Sequence, residues 1–203
     1  MNIEGSELEV KFYISRRKEL EMKLDTVGKL IAPRVLEVNL RFDTPHRSLS
    51  AAGKVLRLRR DTKVRVTYKA GGTLEGGVNR RQELEFTVSD FDTARSLFEA
   101  LGYQVYTIYE KFRTTYSLGN VEVVVDELPT GDFLEIEGPD KESIYRAAQQ
   151  LGLNWDAGII DSYTVMFERL KGHLGLTFRD LSFENFKSLD VSPDDLGVKI
   201  ADQ

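Results

Sequence analysis

The chain predicts an α+β fold, an antiparallel sheet of eight strands with helices on its outside, and three observations carry that reading. Segments that alternate apolar and polar residues come in consecutive runs, one strand first, then four, then three. Helix signals fall only between and after those runs, so the order is βα-ββββ-α-βββ-αα and not the strict alternation of a doubly wound fold. The polar member of the alternation is usually a charge, and the charges come in pairs of like sign.

The first strand spans about Ser6 to Ile14, with Glu7, Glu9 and Lys11 on one face and Leu8, Val10 and Phe12 on the other. Ser15 reads as the N-cap of a helix whose inner face carries Leu20 and Leu24 and which Gly28 ends. Residues 30–43 are extended and close at Asp43-Thr44-Pro45. Lys54–Arg60 and Lys63–Ala70 form a hairpin around Asp61-Thr62. Gly71–Gly77 reads as a flexible connection; it lacks the Gly-Lys-Ser/Thr ending of a phosphate-binding P-loop. Arg80–Ser89 is the next strand, and Asp90 opens a helix with Ala94, Leu97, Phe98 and Leu101 that stops at Gly102. Tyr103–Leu118, Val121–Glu127 and Asp132–Gly138 are three strands joined at Gly119-Asn120 and at the turn holding Pro129 and Gly131. Helices follow from Pro139-Asp140 to about Leu151 and from Asp161 to Leu170. Residues 1–171 are read as one domain. Residues 172–203, with Phe178, Phe183 and Phe186, are read as a C-terminal appendage: a docked helix, a partner-binding tail or a homodimer contact.

Composition narrows the function classes. With 41% hydrophobic residues the chain can bury a core, and its 28 Lys and Arg against 33 Asp and Glu leave a net charge of only −5. Nucleic-acid binding usually shows a dominant basic field, so no nucleic-acid partner is expected. No cysteine is present, which removes disulfides, thiolate metal sites and cysteine nucleophiles. Acid near the N-terminus and the lack of a run of ~20 apolar residues predict no membrane association and a cytoplasmic location. His46 and His173 have no ligand pattern around them and are expected at the surface.

The charge pairs need a face. Besides Glu7 and Glu9 there are Arg57 and Arg59, Thr67 and Lys69, Glu83 and Glu85, Lys111 and Arg113, and Glu135 and Glu137. A solvent-facing strand tends to mix signs because like charges packed together repel. The apolar partners Leu8, Val10, Phe12, Leu56, Leu58, Leu84, Phe86, Leu134 and Ile136 offer a surface for the helices. If the sheet closes with helices outside, the charged faces meet across a polar lumen. Paired carboxylates hold hard cations and paired Lys or Arg hold phosphate oxygens, so the lumen suits a metal–polyphosphate.

The pairs also form an ordered motif set. Glu7-Leu8-Glu9-Val10-Lys11 resembles the Glu-x-Glu-x-Lys signature of the CYTH superfamily, the triphosphate tunnel metalloenzymes. That superfamily includes class IV adenylyl cyclases, thiamine triphosphatases and tripolyphosphatases. Phe42-Asp43-Thr44-Pro45, Leu56-Arg57-Leu58-Arg59, Thr67-Tyr68-Lys69, Arg81-Gln82-Glu83-Leu84-Glu85, Lys111-Phe112-Arg113-Thr114-Thr115-Tyr116, Asp126-Glu127-Leu128 and Gly131 to Glu137 resemble its later motifs in order, over residues 7 to about 170. The resemblance implies a closed eight-stranded antiparallel barrel, a tunnel open to solvent.

It also implies roles. Glu7, Glu9, Glu135 and Glu137 would hold Mg²⁺ or Mn²⁺. Lys11, Arg57, Arg59, Lys69, Lys111 and Arg113 would grip a triphosphate such as ATP or tripolyphosphate. Lys69, Glu83, Glu85 and Asp126 are the catalytic candidates, the acids as outer ligands or water-orienting groups. For Glu83 and Glu85 an ion-pair network is an equal reading. Arg41 stands where thiamine triphosphatases commonly have Tyr, and it adds a further phosphate contact. Arg60 shares the parity of Leu56 and Leu58 and is expected outside; Arg65 shares that of Lys69 and is expected in the lumen. The leading expectation is a metal-dependent triphosphatase, with class IV adenylyl cyclase second. A non-catalytic polyphosphate binder, which would not need the carboxylates, comes third.

Overall fold

The computed structural model describes the backbone of residues 6–75 and 78–203 and the side chains of residues 8–72 and 82–203. Eight strands make one antiparallel sheet: β1 (Ser6–Ile14), β2 (Lys29–Asp43), β3 (Val55–Arg60), β4 (Val64–Glu75), β5 (Val78–Val88), β6 (Gln104–Leu118), β7 (Val121–Leu128) and β8 (Gly131–Gly138). Their order is β1-β5-β4-β3-β2-β6-β7-β8, and β8 pairs again with β1, so the sheet closes. Among the described residues seven helices accompany it: α1 (Arg17–Val27), α2 (Ser48–Ala51), α3 (Phe91–Ala100), α4 (Lys141–Leu151), α5 (Tyr163–Leu174), α6 (Phe183–Phe186) and α7 (Pro193–Leu196).

Alternation decides which side chains meet the helices. Leu8, Val10, Phe12, Val121, Val123, Val125, Leu134 and Ile136 point outward and are buried under Leu20 and Leu24 of α1 and Ile144, Ala147, Ala148 and Leu151 of α4. A second outer cluster, Leu40, Phe42, Leu56, Leu58 and Val66, lies under Phe91 and Ala94 of α3. Fully burying a Leu or Phe is worth roughly 1.5–3 kcal/mol, so these two layers fix the register and send the alternate residues inward. Asp43 ends β2 with a structural task. Its carboxylate accepts from the backbone N–H groups of Thr44, Leu49 and Ser50 and from Ser50 Oγ, which holds α2 against the strand end.

The third cluster fills one end of the barrel. Tyr13, Tyr109, Leu128 and Phe133, which share the inward parity of the charged residues, pack against Tyr163, Met166, Phe167 and Leu170 of α5 and against Leu181, Phe186 and Leu196. Residues 172–203 are thus laid on the barrel. Leu181 bridges to Tyr109 and Ile200 to Tyr13. The Asp202 carboxylate takes the N–H groups of Ser15 and Arg16 and the Ser15 hydroxyl.

Four expectations are corrected. The N-cap of α1 is Arg16, with no side-chain cap, because Asp202 engages Ser15 from a distance in sequence. Residues 71–75 of the glycine-rich segment continue β4 past a register shift between Ala70 and Thr73; residues 76–77 lie outside the described residues. Leu84 and Phe86 of β5 are 54% and 58% exposed, since α3 packs beside β3 and leaves the outer face of β5 uncovered. The last predicted helix begins at Tyr163, capped by Ser162, and runs on to Leu174.

Candidate active site

Inside the barrel lies a cavity of about 350 Å³. Its lining contains Glu9 and Lys11 of β1, Arg57 and Arg59 of β3, Lys69 of β4, Glu83 and Glu85 of β5, Lys111 and Arg113 of β6, and Glu135 and Glu137 of β8. Arg41 lines it as well. Asp126 is fully buried behind this surface. Every sequence-predicted site residue with a described side chain is therefore in or directly behind one cavity. Glu7 is in β1, but its side chain lies outside the described residues. Arg60 is exposed and stacks on Phe91, as its parity requires. Arg65 turns to the lumen face but is held by Asp61 at 2.5 Å. His46 and His173 are exposed.

The register explains most of the charge. Lys11 faces Glu135, Glu37 faces Lys111, Lys69 faces Glu83 and Arg113 faces Asp126, each pair directly opposite across a ladder. These pairs stabilise the lumen against its own desolvation. Asp126 is the hub. It accepts from Lys111 Nζ at 2.8 Å, from Arg113 at 2.7 and 2.6 Å, and from the Tyr163 hydroxyl at 2.8 Å. Burial alone would push its carboxyl up, but Arg113 and Lys111 outweigh burial and hold it below the ordinary range. With both oxygens engaged and no exposed surface, Asp126 positions the two cations.

Glu37 is held down in the same way: burial opposes, and Lys111, Arg113 and Arg59 prevail. Glu9 is also well below its usual range, since Lys11 and Lys69 overcome its burial. Lys11 is raised despite burial, by Glu135 and Glu9. Its ammonium lies 2.8 Å from Glu9 and 3.7 Å from Glu135. Arg59 is lowered, by burial and by Arg57 beside it, which marks a surplus of positive charge on the β2–β3 wall. Tyr109 is lowered because Arg57 and Lys111 outweigh its burial.

Three sets of like charges break the pattern. Glu9 faces Glu137, which in turn faces Glu122, so three acids stand side by side across β1, β8 and β7. Arg41 faces Arg57, and Arg59 faces Arg65. Like charges opposite one another are unfavourable, and within the chain Lys11 meets Glu9, Glu85 meets Arg57 and Arg59, and Asp61 meets Arg59 and Arg65. Among the described residues no three His, Cys, Asp or Glu converge tightly enough to hold a metal ion by themselves. The donor set is nonetheless all carboxylate oxygen, the chemistry of Mg²⁺ and Mn²⁺, and the Lys11 ammonium already bridges Glu9 and Glu135 as a cation would.

Sequence reasoning missed several residues of the lumen. Glu37 and Asn39, buried behind the lining, belong to the same alternation as Arg41, and that parity could have found them. Glu122 and Tyr109 follow the parity of Asp126 and of Lys111 and Arg113. Ser162, Tyr163 and Thr164 reach the cavity from α5, and no local signal announces that.

A model of the CYTH domain matches residues 5–152. The chain belongs to the CYTH domain family. A Methanocaldococcus jannaschii protein named, provisionally, an adenylate cyclase is 26% identical over 133 residues, covering 64% of this chain and 75% of the relative. A Pyrococcus horikoshii structure is 28% identical with a TM-score of 0.66, covering 77% of this chain and 96% of that one. A Hippeastrum protein, described as a provisional adenylyl cyclase with a dominant triphosphatase activity, shares the fold at 17% identity. Its TM-score is 0.58, and the match covers 80% of this CYTH chain and 95% of that one.

Proposed function

We propose that this CYTH protein is a metal-dependent triphosphatase that binds inorganic or nucleoside triphosphate in its charged tunnel and cleaves a phosphoanhydride bond. The observation that carries the reading is the separation of like-charge rows, acids on the β1–β8–β7 wall and arginines on the β2–β3 wall, in one cavity. That arrangement complements a polyanion carrying a divalent cation. Bound between Glu9, Glu135 and Glu137, with Glu7 as a further candidate, Mg²⁺ or Mn²⁺ would supply charge neutralisation at the phosphate oxygens.

The chain's own residues do the rest by positioning and charge, which dominate phosphoryl transfer. Lys11, Arg57, Arg59, Lys69, Lys111 and Arg113 hold the phosphate oxygens and meet the charge that grows on the leaving group. Asp126 and Tyr163 fix Lys111 and Arg113 in place. Glu85 accepts from Thr67 at 2.9 Å and Glu83 pairs with Lys69, and in this reading both acids would orient a water. Few apolar groups line the cavity among the described residues: Val55, and the rings of Tyr109 and Tyr163, whose hydroxyls are engaged. That favours a substrate read by its phosphates over one read by a base.

The second reading, class IV adenylyl cyclase, is supported by the name of the Methanocaldococcus relative. The test is to incubate the protein with tripolyphosphate, and separately with ATP, with Mg²⁺ or Mn²⁺, and to identify the products. Orthophosphate is expected; cyclic AMP with pyrophosphate would replace the first reading by the second. Replacing Glu135 and Glu137 together by Ala should abolish turnover with the fold retained, and full activity in that double variant would sink the metal assignment.

A further inference from the structure

A strand that outruns its neighbour in a barrel exposes an edge, and an exposed edge is a template for another strand. Among the described residues four such edges carry a device. β1 parts from β5 beyond Glu9, and Ile159 and Ala201 take its backbone groups at Lys11 and Tyr13. β6 outruns β7 before Phe112, and Leu181 bonds it at Ile108 and Glu110. β2 starts at Lys29 but meets β3 only from Val38, and the stretch between carries Pro33 and two register shifts. β4 passes β3 beyond Lys69 with Gly71, Gly72 and a register shift of its own. Cover, proline and bulges are the usual means of blunting an edge.

The end of β5 has no such device. β1 accompanies β5 only as far as Gln82. From Leu84 to Val88 β4 lies on one side, and among the described residues no backbone group bonds the strand from the other. The stretch Leu84-Glu85-Phe86-Thr87-Val88 contains no Lys, Pro or Gly. Leu84 and Phe86 are both more than half exposed on its outer face. Glu85, on the inner face, is taken up by Thr67, Arg57 and Arg59, so its charge does not guard the edge.

We propose that this edge is the contact between two copies of the chain, β5 pairing antiparallel with β5 of a second copy about a two-fold axis at Phe86. The strand's own sequence favours a copy of itself. In that register Phe86 faces Phe86, Leu84 faces Val88 and Glu85 faces Thr87, so apolar meets apolar and no acid meets an acid. An axis at Glu85 would set Glu85 against itself, and one at Leu84 would set Glu83 against Glu85, both unfavourable. A slip by one residue would join the apolar face of one copy to the lumen face of the other. The interface is isologous, made by strand addition. It sets Thr87 of the second copy opposite Glu85, which lines the cavity, with Cβ atoms about 4.5–5.5 Å apart. Leu84–Val88 is only about 17 Å of strand, less than a standard interface, so the dimer is weak and forms at micromolar concentration or above. The contact is independent of what the cavity binds.

The experiment is sedimentation equilibrium of the full-length protein from about 1 to about 200 μM, joined to a cysteine test of the register. Wild type should pass from 23.1 kDa to about twice that mass as concentration rises. Phe86→Lys sets two cations on the axis and should stay monomeric. Its melting temperature at low concentration should lie within about 2 °C of wild type, because the side chain it replaces is exposed. The chain has no cysteine, so a single one can bridge only between copies. With diamide as oxidant, Phe86→Cys should give a covalent dimer, since facing Cα atoms about 4.5–5.5 Å apart suit a disulfide. Leu84→Cys should not, because its counterpart lies about 13–14 Å away along the second strand. A wild type monomeric throughout, which would leave the edge to a different polypeptide, overturns the contact. So would a dimer unmoved by Phe86→Lys, or equal bridging by Leu84→Cys and Phe86→Cys.

Discussion

Replacing Asp126 by Ala should be among the most damaging single changes in the barrel. The carboxylate is wholly buried and holds Lys111, Arg113 and Tyr163 through four contacts of 2.6 to 2.8 Å. Removing one partner of a buried ion pair costs about 3–5 kcal/mol, because the other charge is left uncompensated. Here two cations lose their partner, which argues for the upper end. Both keep a weaker one, Lys111 with Glu37 at 3.6 Å and Arg113 with Glu135 at 3.4 Å, which argues for the lower. About 3–4 kcal/mol is the balance, and for a chain of this size that lowers the melting temperature by roughly 6–16 °C. Thermal unfolding followed by circular dichroism measures it at pH 7. A variant melting within about 2 °C of wild type would refute the claim that Asp126 organises the cationic wall.

Acid should destabilise the protein within a defined window. Glu9, Glu37 and Asp126 are all held below their ordinary range when folded, so their stabilisation is complete above the unfolded values near pH 4 and is lost as pH falls through the lower folded ones. The melting temperature should stay level between about pH 7 and 5 and drop below about pH 4; a steep loss already at pH 6 would contradict the assignment. Asp202→Ala removes the carboxylate that takes the Ser15 and Arg16 N–H groups just before α1. It should cost about 1–2 kcal/mol, a fall of roughly 2–8 °C, and no change in melting would show the clasp to be idle. Gly131 turns β7 into β8 with φ +127°, and a Cβ there would sit 2.7 Å from the Tyr13 ring. Gly131→Ala should therefore lose about 1–3 kcal/mol in denaturant unfolding, and wild-type stability would mean the turn is more forgiving than its geometry.

Strand alternation made the site legible. Arg57 and Arg59, Lys111 and Arg113, and Glu135 and Glu137 could be placed inside because their neighbours had to face the helices. The same parity held for Glu37 and Asn39, whose strand lacked a like-charge pair to draw notice. The α5 contribution was not legible, because Thr164 meets Arg41 across 123 residues and periodicity carries no information at that range. Docking of the C-terminal residues was one of three options the sequence left open, and it could not be chosen for the same reason: Leu181, Phe186 and Leu196 are scattered along an irregular segment and share only a destination. Leu84 and Phe86 misled because alternation tells which face a side chain takes but not whether anything covers that face.

The aromatic stopper formed by Tyr13, Tyr109, Phe133 and α5 has a kinetic meaning. A vessel with one mouth empties in order. When a triphosphate is cut inside it, the piece nearer the stopper cannot leave until the outer piece has gone. The fragment left behind should compete with fresh substrate, whereas the fragment that leaves first should not. Inhibition by the two products of one cleavage would then be unequal, and the stronger inhibitor would tell which end of the substrate enters first.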